Sequence, residues 1–318
     1  MALDLFEDYI SLDDGGFSYP LDTMIEGLPN SAYHAVDGIS STQFKLMHLS
    51  MTAYHNRRTS KDSAKVSDLM ALDIEDGVKG LMRRYLSPDD LLWQKNPAFA
   101  TGNLYHDCIL LPDLVDDSYI ESSTLGLDTE ASKKLIAENP HKIIVGKGEI
   151  SKAVKAASMC HRDFGKFISG QKREVSFFHR DESTGLIFKF RPDIFYENNG
   201  YRAIIDIKSS QSKNHKEFLK ELELYDYDLS AAWYLDNAEK CGYKADAFYW
   251  IVVPKFEPHV PFGFVCSQEL LEKGRSKYQM LLADYMEFLA TKDHGMDNTL
   301  FKTAHSLEWR KENGFDIK

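Results

Sequence analysis

Asp193 is followed thirteen residues later by Asp206-Ile207-Lys208, and between them lies the turn sequence Glu197-Asn198-Asn199-Gly200. Leu186 to Arg191 is mostly apolar or aromatic and Ala203 to Ile207 is an apolar run, so both read as short β-strands. A hairpin between them brings Asp193 beside Asp206. Side chains alternate faces along a strand, so Asp206 and Lys208 point the same way. Two carboxylates and one ammonium then converge at a sheet edge. Paired acids supply the oxygen ligands that Mg²⁺ and Mn²⁺ take. A lysine beside such an ion can position or deprotonate a water, which is the chemistry of phosphodiester hydrolysis. The plain alternative is an edge hairpin with a solvated Asp and Lys.

The elements that must hold these groups can be read from periodicity. Ser40-Ser41-Thr42-Gln43 starts a helix that runs to about His55, with Phe44, Leu46, Met47 and Tyr54 as its apolar stripe. Residues 57–66 are polar and read as a loop, and 67–95 as one or two helices, the second starting at Ser87-Pro88. Pro97 to Gly102 reads as a connector and Leu104 to Leu111 as a helix. Helices are expected at 128–139, 148–168, 214–224, 228–240 and 269–291, and strands at 175–179, 186–191, 203–207, 245–253 and 263–266. The order is helix, three strands, helix, strand. Residues 1–38 form an irregular acidic lead-in, and 293–318 a tail in which Trp309 suggests packing.

The chain has 318 residues and a net charge of −11, with 43% hydrophobic content, enough for a substantial core. No apolar run is long enough to span a membrane. The first residues lack the basic and apolar regions of a secretory signal, so a cytoplasmic protein is expected. Cys108, Cys160, Cys241 and Cys266 form no C-x-x-C pair, and their spacings suit no zinc or iron–sulfur cluster. They read as four free, mostly buried thiols. Charge is unevenly spread. Residues 1–44 hold eight acids and no Lys or Arg, whereas from Lys133 to Arg173 ten bases face three acids, a net of +7. That basic segment, with Lys147, Lys152 and Lys155 in it, suits tracking a phosphate backbone, and its plain reading is a solvated helical face.

Several strings carry a family resemblance. Pro192-Asp193 with Asp206-Ile207-Lys208 resembles the PD-(D/E)xK nuclease superfamily. Gly102 to His106, continued by an apolar run to Pro112, resembles the G-x-x-x-H helix of RecB-like and RecE-like nucleases. Glu174, ahead of the aromatic strand and Asp181-Glu182-Ser183-Thr184-Gly185, matches their acid before a D-x-x-T-G hairpin. Tyr227 and Ser230-Ala231-Ala232-Trp233-Tyr234 match a Tyr and Q-A-A-x-Y helix, except that Ser230 stands where the family has Gln. Ile39 to Leu46 is similar to its S-x-S-x-L-K helix, and Ala53-Tyr54-His55 to its P-A-H-Y turn without the Pro. The resemblance runs from about residue 39 to 253, most closely to RecE-like (exonuclease VIII-type) exonucleases.

That resemblance implies an α/β fold: a restriction-endonuclease-like core with a central mixed sheet flanked by helices and an N-terminal helical region. The nuclease domain would span 39–292, with 57–98 as an insertion. It implies that Asp193, Asp206 and the carbonyl of Ile207 hold Mg²⁺, for which Mn²⁺ substitutes. Glu174 and His106 would complete or flank the site, the histidine favouring Mn²⁺. Lys208 would orient and activate the attacking water, and Tyr234 and Ser230 would contact substrate or tune Lys208. The implied activity is 5′→3′ degradation of one strand from a duplex DNA end. It would leave a 3′ single strand for an annealing partner, in a bacterial or phage-infected cell. The implied assembly is a homo-oligomeric ring, a tetramer ahead of a trimer, with the acidic 1–44 segment as a candidate contact patch. The alternatives are another PD-(D/E)xK enzyme, either a structure-specific endonuclease or a Cas4-like resecting enzyme, and a non-catalytic DNA-binding relative. The absence of cluster cysteines argues against Cas4-like and against an iron–sulfur cluster.

Overall fold

The computed structural model describes residues 19–48, apart from 37, 43, 46 and 47, and residues 97–291. Its elements in chain order are α1 (Asn30–Ala35), α2 (Pro97–Leu110), a 3₁₀ turn (Pro112–Leu114), α3 (Val115–Ser118), β1 (Tyr119–Glu121), α4 (Glu130–Glu138), β2 (Ile143–Val145), α5 (Glu149–Ile168), β3 (Lys172–Arg173), β4 (Phe177–Arg180), β5 (Ile187–Phe190), β6 (Ile194–Asn198), β7 (Tyr201–Ser210), α6 (His215–Leu224), α7 (Tyr227–Lys240), β8 (Ala247–Pro254), β9 (Phe262–Val265) and α8 (Gln268–Thr291). Ser41, Thr42, Phe44, Lys45 and His48 are also helical. The expected 57–66 loop, the helices at 67–95 and the tail with Trp309 lie outside the described residues.

The central sheet is five-stranded in the order β3-β6-β7-β8-β9. It is mixed, because β7 and β8 are parallel while β6–β7 and β8–β9 are antiparallel. Parallel neighbours need a crossover, and α6 with α7 supplies it. The longest strand, β7, is buried on both faces: Ala203, Ile204, Ile205 and Ile207 are all shielded from solvent. Its even-numbered face packs with Phe248, Trp250, Trp233 and Phe190 into one core. Its odd-numbered face packs with Leu104 and Ile109 of α2 and Ala153 and Cys160 of α5 into another. Asp206 and Lys208 therefore share a face with Ile204, on the α7 side of the sheet.

The partner of β7 is not the one expected. Ile187–Phe190 pairs with Phe177–Arg180 in a separate two-stranded sheet, and the hairpin partner is β6. The turn explains this. Asn199 at φ 51° and Gly200 at φ 81° form a two-residue left-handed turn, the type that suits the twist of a hairpin. So short a turn requires the strand to run straight into it, and Ile194-Phe195-Tyr196 is that strand. Pro192 has no N–H for a ladder and separates β5 from β6.

Three smaller corrections follow. Pro97 to Gly102 is the start of α2 rather than a connector, since proline in a first helical turn gives up only an N–H that the helix does not use. The lead-in contains α1. The parallel pair β1–β2 was not foreseen, three residues being too few to show a period. The helices at 128–139, 148–168 and 214–224 stand within two residues of expectation, the first capped by Thr129 and the third by Asn214.

The N-terminal segment is strapped onto β4 and β5. Ile25 bridges Ser176, and Ile39 bridges Phe188. Lys189 and Arg191 reach back to it: Lys189 Nζ donates to the carbonyl of Val36 at 2.8 Å, and Arg191 donates to that of Leu28 at 2.8 Å.

Candidate active site

The β6–β7 hairpin puts Asp193 at the mouth of β6, opposite β7. There the backbone N–H of Ile207 donates to Asp193 Oδ2 at 2.6 Å. One position on, Lys208 Nζ lies 2.6 Å from Asp206 Oδ2, as alternation along the strand requires. Asp206 is buried, at 6% exposure. From the opposite face of the sheet α2 presents His106. Its Nε2 lies 3.1 Å from Asp193 Oδ1 and 3.4 Å from Glu174 Oε1. Its Nδ1 lies 3.6 Å from Asp107, which in turn accepts a 2.6 Å hydrogen bond from the Tyr119 hydroxyl.

Glu174 stands between β3 and β4, where the chain leaves the central sheet for the two-stranded one. Its φ is 51°, a left-handed conformation that costs a non-glycine residue energy. Its backbone N–H donates to the carbonyl of Asp193 at 3.0 Å, so the two acids are tied through the main chain as well. Ligand atoms of His106, Glu174 and Asp193 all lie within 4.8 Å of one another. Asp206 instead turns its carboxylate to Lys208. The site thus straddles the end of the sheet, with a three-ligand cluster on one side and an acid–lysine pair on the other.

The fold agrees with the family comparison: residues 84–297 match the model described as "PDDEXK-like domain of unknown function (DUF3799)". The chain belongs to this PDDEXK-like family. The crystal structure of a Eubacterium rectale protein, named a putative exonuclease, is similar at a TM-score of 0.51 and 16% identity, over 88% of this chain and 96% of that one. That similarity shows a shared fold. A second structure, SSO0001, aligns at a TM-score of 0.28 and 15% identity over 59% of this chain and 94% of its own, and carries no argument. No curated protein matches the chain.

Electrostatics divides the candidate site in two. Burial opposes charge on His106, yet Asp193, Asp107 and Glu174 around it hold the imidazolium well above its usual range. Asp193 is correspondingly held low against its burial by His106, with help from Lys208 and the Ile207 N–H. Glu174 is pushed up to about 7, mainly by burial, with Asp193 adding to it and His106 and Arg191 opposing. Asp206 is also raised, by burial foremost, while Lys208 pulls the other way. Lys208 is half-buried, which opposes its charge, but Asp206 keeps its ammonium raised.

Tyr234 lies on α7 among these groups. Burial, then the charges of its neighbours Tyr33, Asp206, Asp193 and Glu174, hold its hydroxyl protonated. Ser230 is buried one turn earlier on α7, and its Oγ makes no hydrogen bond among the described residues. Lys147, Lys152 and Lys155 are exposed around the start of α5. Lys152 pairs with Glu149 at 2.8 Å and Lys155 with Glu257 at 2.6 Å. Exposed pairs of this kind are worth about 0–1 kcal/mol, so they leave both ammonium groups open to a phosphate.

Three contributors escaped the sequence reading. Arg191 lies 3.9 Å from Glu174 Oε2 while donating to Ser176, Asn30 and Leu28. Its position beside Pro192-Asp193 was the available signal. Tyr227 carries the Lys208 ammonium 4.9 Å from its ring centre. Lys45 lies 5.5 Å from the same ring, and loss of hydration, together with the Lys208 charge, pushes it down to about 8. Tyr227 matches the family's Tyr and Lys45 stands inside another string that carries the resemblance, but the sequence assigns neither a role.

Proposed function

We propose that this chain is a divalent-metal-dependent nuclease acting as a RecE-like exonuclease on double-stranded DNA ends. The observation that carries the reading is the meeting of His106, Glu174 and Asp193 with the Asp206–Lys208 pair at one end of the sheet. The donor set fits Mg²⁺ or Mn²⁺: oxygen ligands dominate, and burial that pushes Glu174 and Asp206 toward neutrality is relieved by a cation. Asp193, Asp206 and the Ile207 carbonyl would hold the ion, with Glu174 and His106 completing or flanking the set. As a ligand, His106 must release the proton that its acidic neighbours favour. When bound, the ion would polarise the scissile phosphate and stabilise charge developing on it.

The protein's own groups do the rest. Lys208 stays an ammonium beside Asp206, so its part is to hold and orient the attacking water and to offset phosphate charge, rather than to remove a proton. Tyr227 backs that ammonium with its ring. Tyr234, on the face it shares with Ser230, contacts the substrate. Lys147, Lys152 and Lys155 track the duplex. The exonuclease class is supported by the shared fold with the Eubacterium rectale protein and by the RecE-like strings. On this reading the enzyme degrades the 5′-ended strand as a tetrameric ring and hands the 3′ strand to an annealing protein.

Linear duplex labelled at either end, beside a covalently closed circle, tests this. The expected result is Mg²⁺-dependent release of the 5′ label first, with the circle intact. Cutting of the circle would make the protein an endonuclease. Binding without metal-dependent release would make it a non-catalytic relative.

A further inference from the structure

A second set of ligand-bearing side chains lies apart from the reaction centre and shares no residue with it. Asp22 comes from the N-terminal strap, His179 from β4, and Cys241 from the C-terminal cap of α7. Their ligand atoms all lie within 4.8 Å of one another. Among the described residues it is the only such cluster that contains a thiol. Cys241 is a free cysteine at 5% exposure, and the His179 side chain is 13% exposed, whereas Asp22 is 49% exposed. The thiol thus forms the floor of the cluster and the carboxylate its open mouth, which gives an ion a way in.

We propose that Asp22, His179 and Cys241 form a zinc site that clamps the N-terminal strap to the two-stranded sheet.

Chemistry and geometry both favour this. Thiolate, imidazole and carboxylate together make a borderline-soft set, suited to Zn²⁺ and poorly suited to Mg²⁺. Zinc bonds of about 2.0–2.3 Å put ligands of one ion roughly 3–4 Å apart. Asp22 Oδ1 and His179 Nδ1 now lie 2.6 Å apart in a hydrogen bond, so they need part only slightly to admit the ion. Three protein ligands leave a fourth position for water. The neighbouring cation Lys240 is engaged elsewhere, at 3.2 Å from Asp181.

The backbone is arranged to hold Asp22 in place. Its φ is 54°, and its N–H donates to the Phe178 carbonyl at 2.8 Å. From there the strap runs through the Ile25–Ser176 bridge to Leu28, whose carbonyl Arg191 holds. Zinc at Asp22 would therefore fix one end of a segment whose other end touches the arginine beside Glu174. Without an ion, the three groups amount to a hydrogen-bonded Cys–His–Asp cluster, and the experiment distinguishes the two.

Full-length protein stripped of metal is titrated with Zn²⁺ alone, against a chromophoric chelator, and with Co²⁺ by absorbance. The titration is run on wild type and on Asp193→Asn, so that uptake by the acid cluster is told apart. The expected result is tight uptake of one ion at the thiol-bearing cluster in both and, with Co²⁺, the intense near-ultraviolet band of a thiolate–cobalt bond. The acid cluster of the reaction centre has no thiol and cannot give that band. Cys241→Ser should lose it, while Asp193→Asn should keep it. His179→Gln and Asp22→Asn retain the thiol and should each lose tight zinc binding, which covers the case in which Cys241→Ser fails to fold. No thiolate band in the wild type, an unchanged band in Cys241→Ser, or undiminished zinc binding in both other variants would overturn the proposal.

Discussion

His106 and His179 each stand beside two further ligand-bearing side chains, and the two sets have opposite characters. Around His106 the partners are hard oxygens, Glu174 and Asp193, set at the end of the five-stranded sheet, with Arg191 beside Glu174 and the Lys208 charge acting on Asp193. Around His179 the partners are one carboxylate and one thiol, on the small sheet and a helix cap. Burial, and then the Asp22 charge, push that thiol up to about 12. The first set is threaded into a network of coupled charges, in which a change at one group moves the others. The second is nearly isolated: among the described residues, Lys240 is the one further charge that bears on its thiol. A coupled cluster suits chemistry that must tune protons and phosphate charge. An isolated one suits a clamp.

The sharpest break between the regions should come from Asp193→Ala. Turnover should fall by more than about a thousandfold, over about 4 kcal/mol of barrier, while the cobalt–thiolate band at Cys241 stays. Loss of both signals would mean that the two regions fold or act as one.

Lys208→Ala should lower the rate by roughly 10²–10³ while Mn²⁺ binding at the acid cluster, read by isothermal titration, persists. A near wild-type rate on linear duplex would remove Lys208 from the reaction.

Arg191 is the bridge between the regions. Arg191→Ala leaves the Leu28 carbonyl, Ser176 and Asn30 without their donor, and should cost about 1.5–3 kcal/mol in urea unfolding. Tight zinc binding that survives this change would show that the strap is held independently at its two ends.

The smallest effect on activity should come from Cys241→Ser, whose turnover should match wild type. Its signature is thermal. Zinc at about a hundred times its Kd should stabilise wild type by about 2.7 kcal/mol, and this rise in Tm should vanish in the variant. A drop in turnover that tracks zinc loss would tie the clamp to catalysis.

Much of the acid site was legible because it rests on local rules. Asp206 and Lys208 share a face through strand alternation alone, and His106 sits on a helix whose apolar run shows the period. The Asn-Gly turn marked the hairpin, though its four-residue reading drew the wrong first strand and hid Ile194–Asn198. What escaped were contacts closed over long stretches of chain, such as Arg191 with Leu28. Nor could spacing reveal that Glu174 takes a left-handed φ at the junction of two sheets and so joins His106 rather than the surface.

The amino-acid order by itself determined the succession of helices and strands, the turn that brings Asp193 beside Asp206 and Lys208, and the helix bearing His106, because periodicity and turn chemistry act within a few residues; the mixed sheet came from the family resemblance. The tertiary structure alone decided that Asp193 and Glu174 gather at His106. It alone brought Asp22, His179 and Cys241 together. Those choices depend on which faces pack and which charges are stripped of water, and neither is a property of any short stretch of chain.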